Sequence, residues 1–268
     1  MTMKKGTQLF SVKGKTALIT GATGYLGSAM AFALAEAGAH ILVNSRFQDR
    51  SDALVKSLVD SSYSAESAVF DVTNQQDIDR FFLSLQGEAL HILINNAYVG
   101  GVGNIELSKA EAYTDSYSVT LLAAHNLLRA ALPALRLAVQ QVGDASVINL
   151  ASMYAMVSPD QRIYNSASEV NPPFYGVAKA ALLQWTRYAA CEFGAEGIRV
   201  NSMSPGPFPS TSAQASNPEF IDKLANKVPL GRIGLSDEIK GPVLFLASSA
   251  SSFVNGSNLV VDGGWTCW

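Results

Sequence analysis

The segment TGATGYLG, residues 20–27, lies between an apolar run and a series of apolar residues at helical spacing. The run is KTALIT at residues 15–20, and the helical spacing continues to Ala37, just before Gly38. A strand, a glycine-rich turn and a helix in this order let backbone amides and a helix N-terminus meet a pyrophosphate. A tight turn without a ligand is the alternative. The strand before the turn and the helix after it favour a dinucleotide site.

Short apolar runs alternate with helix-period segments along the rest of the chain. The predicted strands are residues 15–20, 40–45, 67–72, 91–97, 146–152, 198–204 and 258–264. Several are apolar almost throughout, which is typical of strands covered on both faces. Repeated strand–helix–strand order predicts an α/β fold: a Rossmann-like, doubly wound parallel sheet of about seven strands with helices on both faces. We expect one dinucleotide-binding and catalytic domain over residues 1–268, with substrate loops at about 153–174 and 205–218.

Composition excludes several classes of protein. The chain has 268 residues, of which 48% are hydrophobic and 15% are charged, so it can bury a large core. A formal net charge of −3 argues against nucleic-acid binding. Residues 1–15 lack the apolar run of a signal peptide, and the longest uncharged run, 241–261, contains Pro, Gly, Asn and Ser, so no membrane span is expected. Two cysteines, Cys191 and Cys267, suggest free thiols in the cytoplasm. The spacing of the three histidines indicates no metal site.

The second predicted strand ends in VNSR, residues 43–46. Folds of this kind that prefer NAD usually place an acidic residue here, whereas Asn44 and Ser45 are neutral. The Arg46 guanidinium could bind a 2′-phosphate, which favours NADP(H). A solvated surface arginine is the alternative, and NAD(H) then remains possible.

Two later strands also end in polar residues. Asp71 follows the third predicted strand, beside Val72, and is expected near the adenine amino group. Asn95 and Ala97 end the fourth predicted strand, at the carboxyl edge where ligands bind in such sheets.

Tyr175 and Lys179 form a second feature that points to chemistry. They are four residues apart behind Pro172 and Pro173, so they share one face of a predicted helix. A phenol with a pKa of about 10 is a poor catalyst at neutral pH, and a nearby ammonium would lower that pKa. Ser152 ends the fifth predicted strand, where its hydroxyl could hold a substrate oxygen beside the phenol. The alternative is a chance pair on a helix.

In order along the chain, the glycine turn is followed by DVT at 71–73, NNA at 95–97, Ser152, YGVAK at 175–179, RVNSMSPG at 199–206 and VDGG at 261–264. Together these motifs resemble the compact type of the short-chain dehydrogenase/reductase family, over nearly the whole chain. SPGPFP and the DGGWTCW tail resemble its sugar-acid and sugar-biosynthetic members.

The resemblance implies hydride transfer between NAD(P) and a carbonyl or alcohol. Tyr175 is then the acid–base residue, Lys179 lowers its pKa and holds the nicotinamide ribose, and Ser152 binds the substrate oxygen. Ser210 or Thr211, after Pro205 and Gly206, would meet the carboxamide. The implied cofactor residues are Gly21, Thr23, Gly24, Tyr25, Leu26, Gly27, Ser45, Arg46, Asp71, Val72, Asn95, Ala97, Tyr175, Lys179, Pro205, Gly206, Phe208 and Ser210. A homotetramer or homodimer is also implied.

The chain departs from the family pattern at three places. Tyr25 stands where compact members have a glycine, so the glycine spacing is that of the extended branch. Thr120 stands where the family has the Asn of a proton relay, which means that the relay is altered or that a water bound by Thr120 replaces it. Ser152 and Tyr175 are 23 residues apart, a longer interval than is usual in the family.

The additional residues between Ser152 and Tyr175 lie over the expected substrate site. Their polar members are Asp160, Gln161, Arg162, Tyr164, Asn165 and Asn171. We therefore predict a cytoplasmic NADP(H)-dependent oxidoreductase that interconverts a secondary alcohol and a ketone on a sugar, sugar acid or polyol-like small molecule. One alternative is a 3-oxoacyl-thioester reductase, which apolar lining of this loop would favour. Another is a catalytically silent dinucleotide-binding sensor or scaffold. The Ser–Tyr–Lys set argues against that second alternative, and Thr120 argues slightly for it.

Overall fold

The computed structural model describes residues 6–268. Its strands are β1 Thr16–Ile19, β2 His40–Ser45, β3 Ala65–Val69, β4 Ile92–Asn95, β5 Ala145–Leu150, β6 Ile198–Pro205 and β7 Asn258–Val261. They form one seven-stranded sheet in the order β3-β2-β1-β4-β5-β6-β7, and every neighbouring pair is parallel. The strand order reverses between β1 and β4, which is where ligands bind in open α/β sheets. The predicted fold class is confirmed.

Helices cover both faces of this sheet. They are α1 Gly6–Leu9, α2 Tyr25–Glu36, α3 Gln48–Asp60, α4 Gln75–Ser84, α5 Ala110–Tyr117, α6 Ala123–Val142, α7 Pro173–Phe193, α8 Thr211–Ser216, α9 Pro218–Lys227 and α10 Lys240–Ala247. Successive residues of β1 point into opposite cores, because side chains alternate along a strand. Ile19 packs with residues of α2 and α10, and Leu18 packs with residues of α4 and α6.

Strand β3 differs from its prediction. Residues 67–72 were expected, whereas the strand runs over Ala65–Val69. The Asp71 carboxylate accepts hydrogen bonds from the Thr73 backbone N–H at 2.8 Å and from the Thr73 hydroxyl at 2.7 Å. This local turn takes the chain out of the sheet before Asp71. Asp71 is therefore held in a loop at the edge of the sheet.

One helical stretch, Ala110–Val142, is long and apolar enough to cross a membrane by length and composition. It consists of α5, a π-helical turn at Ser118–Leu122, and α6. Half of its most apolar window is buried, and α6 packs on β4 and β5 as a core helix does. Of the segment predicted not to be a signal peptide, residues 1–5 lie outside the described part of the chain.

Candidate active site

A cavity of about 800 Å³ opens at the carboxyl edge of the sheet. Ser152, two residues beyond β5, lines it together with Tyr175 and Lys179 from the first turns of α7. The fold therefore brings together three side chains that were singled out from separate parts of the sequence. Thr120 does not line this cavity and instead lines a smaller one together with Lys179.

The predicted cofactor residues also line the large cavity, with one exception. Asn95 is buried, and its amide nitrogen donates to Asn149 Oδ1 at 2.8 Å. Asn95 does not line the large cavity, and its contact with the cofactor stays a prediction. Its neighbours Asn96 and Ala97 do reach the cavity. Within residues 6–268, no group of three or more His, Cys, Asp or Glu side chains is placed to hold a metal ion.

Packing within the protein requires glycine at one position of the glycine turn, Gly27, but not at another, Gly24. A Cβ on Gly27 would lie 2.4 Å from the Gly21 carbonyl oxygen, so the contact between helix and turn excludes a side chain there. A Cβ on Gly24 would meet only that same oxygen, at an acceptable 3.4 Å. Gly24 precedes the first residue of α2 and lines the cavity. The bare backbone at Gly24 and the N-terminus of α2 together fit a diphosphate.

Tyr25 is accommodated at the position where compact family members have glycine. Its phenol oxygen accepts a hydrogen bond from the Ser236 backbone N–H at 3.3 Å. Its hydroxyl end is therefore held at the segment that precedes α10, while part of the residue still lines the cavity. The altered glycine spacing is compatible with the same turn.

Two arginines lie at the β2 end of the cavity. Arg46 is largely exposed, and its guanidinium lies 5.6 Å from the centre of the Phe47 ring. Arg50, in the first turn of α3, lies 4.8 Å from the same ring and also lines the cavity. Among the described residues that line the cavity, Asp71 is the only acidic one, and it lies 4.0 Å from Arg46. Sequence reasoning missed Arg50, although its position one helical turn after Arg46 was a usable signal.

Ser152 and Lys179 are buried, and Tyr175 is partly buried. Lys179 is 3% exposed, and its ammonium nitrogen donates to the Leu150 carbonyl oxygen at 2.5 Å. Ser152 Oγ accepts from the Tyr154 backbone N–H at 3.1 Å, so its hydroxyl proton can be donated, either to the Tyr175 phenol oxygen or to a substrate oxygen. The Lys179 nitrogen lies 5.7 Å from the centre of the Tyr175 ring.

Burial dominates the ionisation of this pair. It raises the pKa of Tyr175 to about 12, although a hydrogen bond with Ser152 acts in the opposite direction. Burial also lowers the pKa of Lys179 to about 7. The Lys179 ammonium is directed at the Leu150 carbonyl oxygen, and the lowering of the Tyr175 pKa by Lys179 stays a prediction. A raised pKa favours the protonated phenol, which is the form that can donate a proton.

A second cavity of about 10 Å³ adjoins the first and shares Lys179 with it. Its polar lining residues are Thr20, Asn95, Thr120 and Lys179. Thr120 belongs to the π-helical turn, a feature often found at functional sites. Asn95 Oδ1 is buried and has no hydrogen-bond partner among the described residues. The volume matches about one water molecule, which needs at least two polar partners.

The segment between Ser152 and Tyr175 forms one wall of the cavity, but with fewer of its polar residues than the sequence predicts. Of its polar residues, only Tyr164 and Asn171 line the cavity. Arg162 forms two hydrogen bonds with Asp160, which also binds Lys227 of α9, and Asn165 accepts from Lys223 at 2.8 Å. These charged groups fasten the segment to α9. We name the wall built by this segment and α9 the substrate wall, and its members are Met153, Tyr154, Tyr164, Asn171, Pro172, Phe220 and Leu224.

The loop after β6 supplies the remaining side. Pro205, Gly206, Phe208 and Ser210 line the cavity, whereas Thr211 does not. Ser210 also caps α8 by accepting from the Ala213 backbone N–H at 3.3 Å. Of the two hydroxyls proposed as partners for the carboxamide, the structure favours Ser210.

A diphosphate-binding turn and a Ser–Tyr–Lys set in one cavity define an oxidoreductase that uses a dinucleotide. Residues 21–266 match the family model described as enoyl-(acyl carrier protein) reductase. The chain belongs to the short-chain dehydrogenase/reductase family, so it is an NAD(P)-dependent dehydrogenase or reductase. The resemblance noted from the motifs is confirmed.

Similar proteins include several that act on sugars or sugar acids. A gluconate 5-dehydrogenase of Gluconobacter oxydans is 30% identical over 266 residues, which cover 96% of this chain and 97% of that protein. A sorbose reductase of Candida albicans is 31% identical over 264 residues, covering 97% and 89%. The crystal structure of a gluconate 5-dehydrogenase from Burkholderia cenocepacia in complex with NADP and tartrate superposes with a TM-score of 0.86 at 29% identity, covering 98% of this chain and all of that one.

Proposed function

We propose that this protein is an NADP(H)-dependent reductase or dehydrogenase that interconverts a ketone and a secondary alcohol on a hydroxyl-bearing, sugar-like molecule. The observation that carries the proposal is the single cavity in which Ser152, Tyr175 and Lys179 face the space next to the glycine turn. The sugar-like substrate is supported by the relatives named above and by the phenol and amide groups of the substrate wall.

The proton chemistry follows from the positions of the side chains. When bound, the reduced nicotinamide supplies the hydride that the carbonyl carbon accepts. The Tyr175 hydroxyl donates a proton to the carbonyl oxygen, and the hydroxyl proton of Ser152 holds that oxygen in place. Transfer to an alkoxide is favourable even from a phenol with a pKa of about 12, because an alkoxide is the stronger base. Tyr175 must then regain a proton from within a buried site.

Lys179 and Thr120 provide a route for that proton. Lys179 contacts both the large cavity and the small one, and Thr120 lines the small one. A water in the small cavity would meet Lys179, Thr120 and the unpaired Asn95 Oδ1, which are enough partners to hold it. We assign to this water the relay position for which the family uses Asn. Thr120 would hold it through its hydroxyl.

The choice of cofactor rests on Arg46 and Arg50. Both guanidiniums lie at the end of the cavity beside Ser45, where an acidic residue would repel a 2′-phosphate. The NADP found with the Burkholderia structure supports the same choice.

The residues that line the cavity bear on the two alternative functions, a thioester reductase and a silent sensor. Met153, Phe220 and Leu224 give the substrate wall an apolar component, which favours a 3-oxoacyl-thioester reductase as the second candidate. A silent sensor or scaffold is disfavoured because all three catalytic side chains line the same cavity.

We also propose a cytoplasmic homo-oligomer. Both cysteines are free and exposed, as suits a reducing compartment. Helix α7 exposes Val177 and Tyr188 at 58% and 69%, which provides apolar surface for a second copy of the chain. Sedimentation analysis of the purified protein tests this, and a monomer at micromolar concentration contradicts it.

The proposed activity is tested by following NADPH oxidation with a panel of ketoses, keto acids and 3-oxoacyl thioesters. We expect turnover with at least one hydroxylated ketone. Turnover with thioesters alone would favour the second candidate, and NADPH binding without turnover on any ketone would favour the sensor.

A further inference from the structure

The substrate wall carries no charged side chain. Its hydrogen-bonding groups are the Tyr154 and Tyr164 phenols and the Asn171 amide, and Phe220 adds an aromatic face. The two phenol oxygens lie 3.3 Å apart, so one donates to the other and the second proton remains available. Burial raises the pKa of both phenols, which therefore stay neutral. The wall also adjoins the reacting centre, because Tyr175 packs into the same apolar cluster as Tyr154.

The cations near this wall are already paired and directed elsewhere. Arg162 is 87% exposed and bound to Asp160, and Lys227 binds the same carboxylate. Lys223 lies 2.9 Å from Glu219 and donates to Asn165. None of the three lines the cavity. Acidic and basic groups on this segment therefore balance one another outside the site.

The cations that do line the cavity are remote or committed. Arg46 and Arg50 follow β2 at the end where the 2′-phosphate is proposed. Lys179 is buried and donates to the Leu150 carbonyl oxygen. A carboxylate against the substrate wall would thus lose its hydration without gaining a cationic partner, which costs far more than burying a hydroxyl.

The remaining groups at the wall are neutral. Asp160 contributes a little to the raised pKa of Tyr154 and of Tyr164, but its charge is paired with Arg162 and Lys227. Asn171 also lines the wall, and its amide offers donor and acceptor groups of the kind that pair with a hydroxyl.

We infer that the substrate is uncharged where it contacts the substrate wall, so the preferred substrates are neutral ketoses and polyols instead of sugar acids. This inference rests on the proposed function and narrows it. The inferred substrate therefore differs from gluconate, the sugar acid in the names of several relatives.

A matched pair of ketones tests the inference. L-sorbose and 5-keto-D-gluconate share one carbon skeleton and differ in a terminal hydroxymethyl group against a carboxylate. With saturating NADPH, we expect kcat/KM for L-sorbose to be at least about tenfold higher, as the burial of an unpaired charge requires. Thermal shifts with NADP⁺ and D-sorbitol or D-gluconate give a readout that does not depend on turnover.

A designed cation provides the converse test. Phe220→Arg places a guanidinium on the substrate wall, and Phe220→Leu removes the ring without adding charge. We expect Phe220→Arg to raise kcat/KM for the keto acid relative to L-sorbose by about tenfold, and Phe220→Leu to leave that ratio unchanged.

The outcomes are distinct. Equal or better turnover of 5-keto-D-gluconate by the wild-type protein overturns the inference while leaving the proposed function intact. Equal thermal shifts with gluconate and sorbitol do the same. If neither ketone is reduced and neither alcohol is bound, the proposed function fails and the inference falls with it.

Discussion

The two sides of the cavity are built by different means. The cofactor side is made largely of backbone, in the turn between β1 and α2, where Gly24 leaves the main chain bare. The substrate wall is made of side chains that a long insertion and α9 supply together. A backbone site is specified by a few adjacent residues, whereas a side-chain site depends on which groups of a loop find partners elsewhere. The cofactor side can therefore be predicted from the sequence, whereas the substrate wall can be identified only from the folded structure.

Tyr175 stands where the two sides meet, and its removal has the largest expected effect. Tyr175→Phe keeps the ring and its packing but deletes the proposed proton donor. Turnover should fall by about 10²–10⁴, the usual contribution of general acid–base catalysis, while the affinity for NADPH stays within about twofold. Steady-state kinetics and fluorescence titration with NADPH measure the two quantities. Unchanged turnover would remove Tyr175 from the reaction.

The next contrast lies within the glycine turn. Gly27→Ala forces a methyl group to 2.4 Å from a backbone oxygen, so we expect the free energy of unfolding to fall by at least about 2 kcal/mol. Gly24→Ala has room for its methyl group within the protein, so stability should be unchanged while affinity for NADPH falls. Denaturant unfolding and NADPH titration of both variants separate packing from binding. Wild-type affinity in a folded Gly24→Ala variant would argue against a diphosphate at this turn.

The 2′-phosphate contact should set the preference between cofactors. We expect NADPH to bind at least about tenfold more tightly than NADH, since a charge-assisted contact contributes about 1.5–3 kcal/mol. Arg46→Ala should remove most of this preference, and Arg50→Ala part of it. Arg80→Ala is a matched control, because Arg80 is an exposed arginine that pairs with Asp77 and does not line the cavity. Equal affinity of the wild-type protein for the two cofactors would refute the assignment.

A smaller effect is expected in the small cavity. Thr120→Val preserves shape but removes the hydroxyl from the small cavity, so turnover should fall several-fold with NADPH affinity intact. Thr120→Asn, which introduces the residue usual in the family, should retain activity. Measurement of kcat for the two variants across pH decides the matter. Wild-type rates in Thr120→Val would mean that the proton leaves by another path.

The smallest effect is expected on the outer face of the insertion. Arg162 and Asn165 belong to the segment that the sequence places over the substrate site, but neither lines the cavity. We now expect an unchanged KM in Arg162→Ala, and a raised KM in Tyr164→Phe, whose phenol faces the substrate. Kinetics on the best ketone found in the panel provide the comparison. A raised KM in the arginine variant alone would restore the first interpretation.

Some features of the fold and of the site could be predicted from the sequence and others could not, for physical reasons. The seven strands could be predicted because hydrophobic period along the chain determines them, and the structure brings Ser152, Tyr175 and Lys179 into one cavity. Strand β3 was misplaced because a hydrogen bond from Thr73 to Asp71 ends it early. Asp160 and Arg162 were wrongly expected over the substrate because Asp160 binds Lys227, a partner 67 residues away, whereas Tyr164 and Asn171 do line the cavity. Burial raises the pKa of Tyr175, and this effect has no local signal in the sequence because it depends on the packing of the whole site.

Hydride transfer at the junction of the two sides is the central claim, and isotopic labelling tests it most directly. The protein is supplied with L-sorbose and NADPH that carries deuterium at the transferable position of the nicotinamide. The product is then examined by mass spectrometry and NMR. The account predicts one deuterium on the former carbonyl carbon with the wild-type protein, and almost none in the same time with Tyr175→Phe. An alcohol without deuterium, or equal labelling by both proteins, would contradict it.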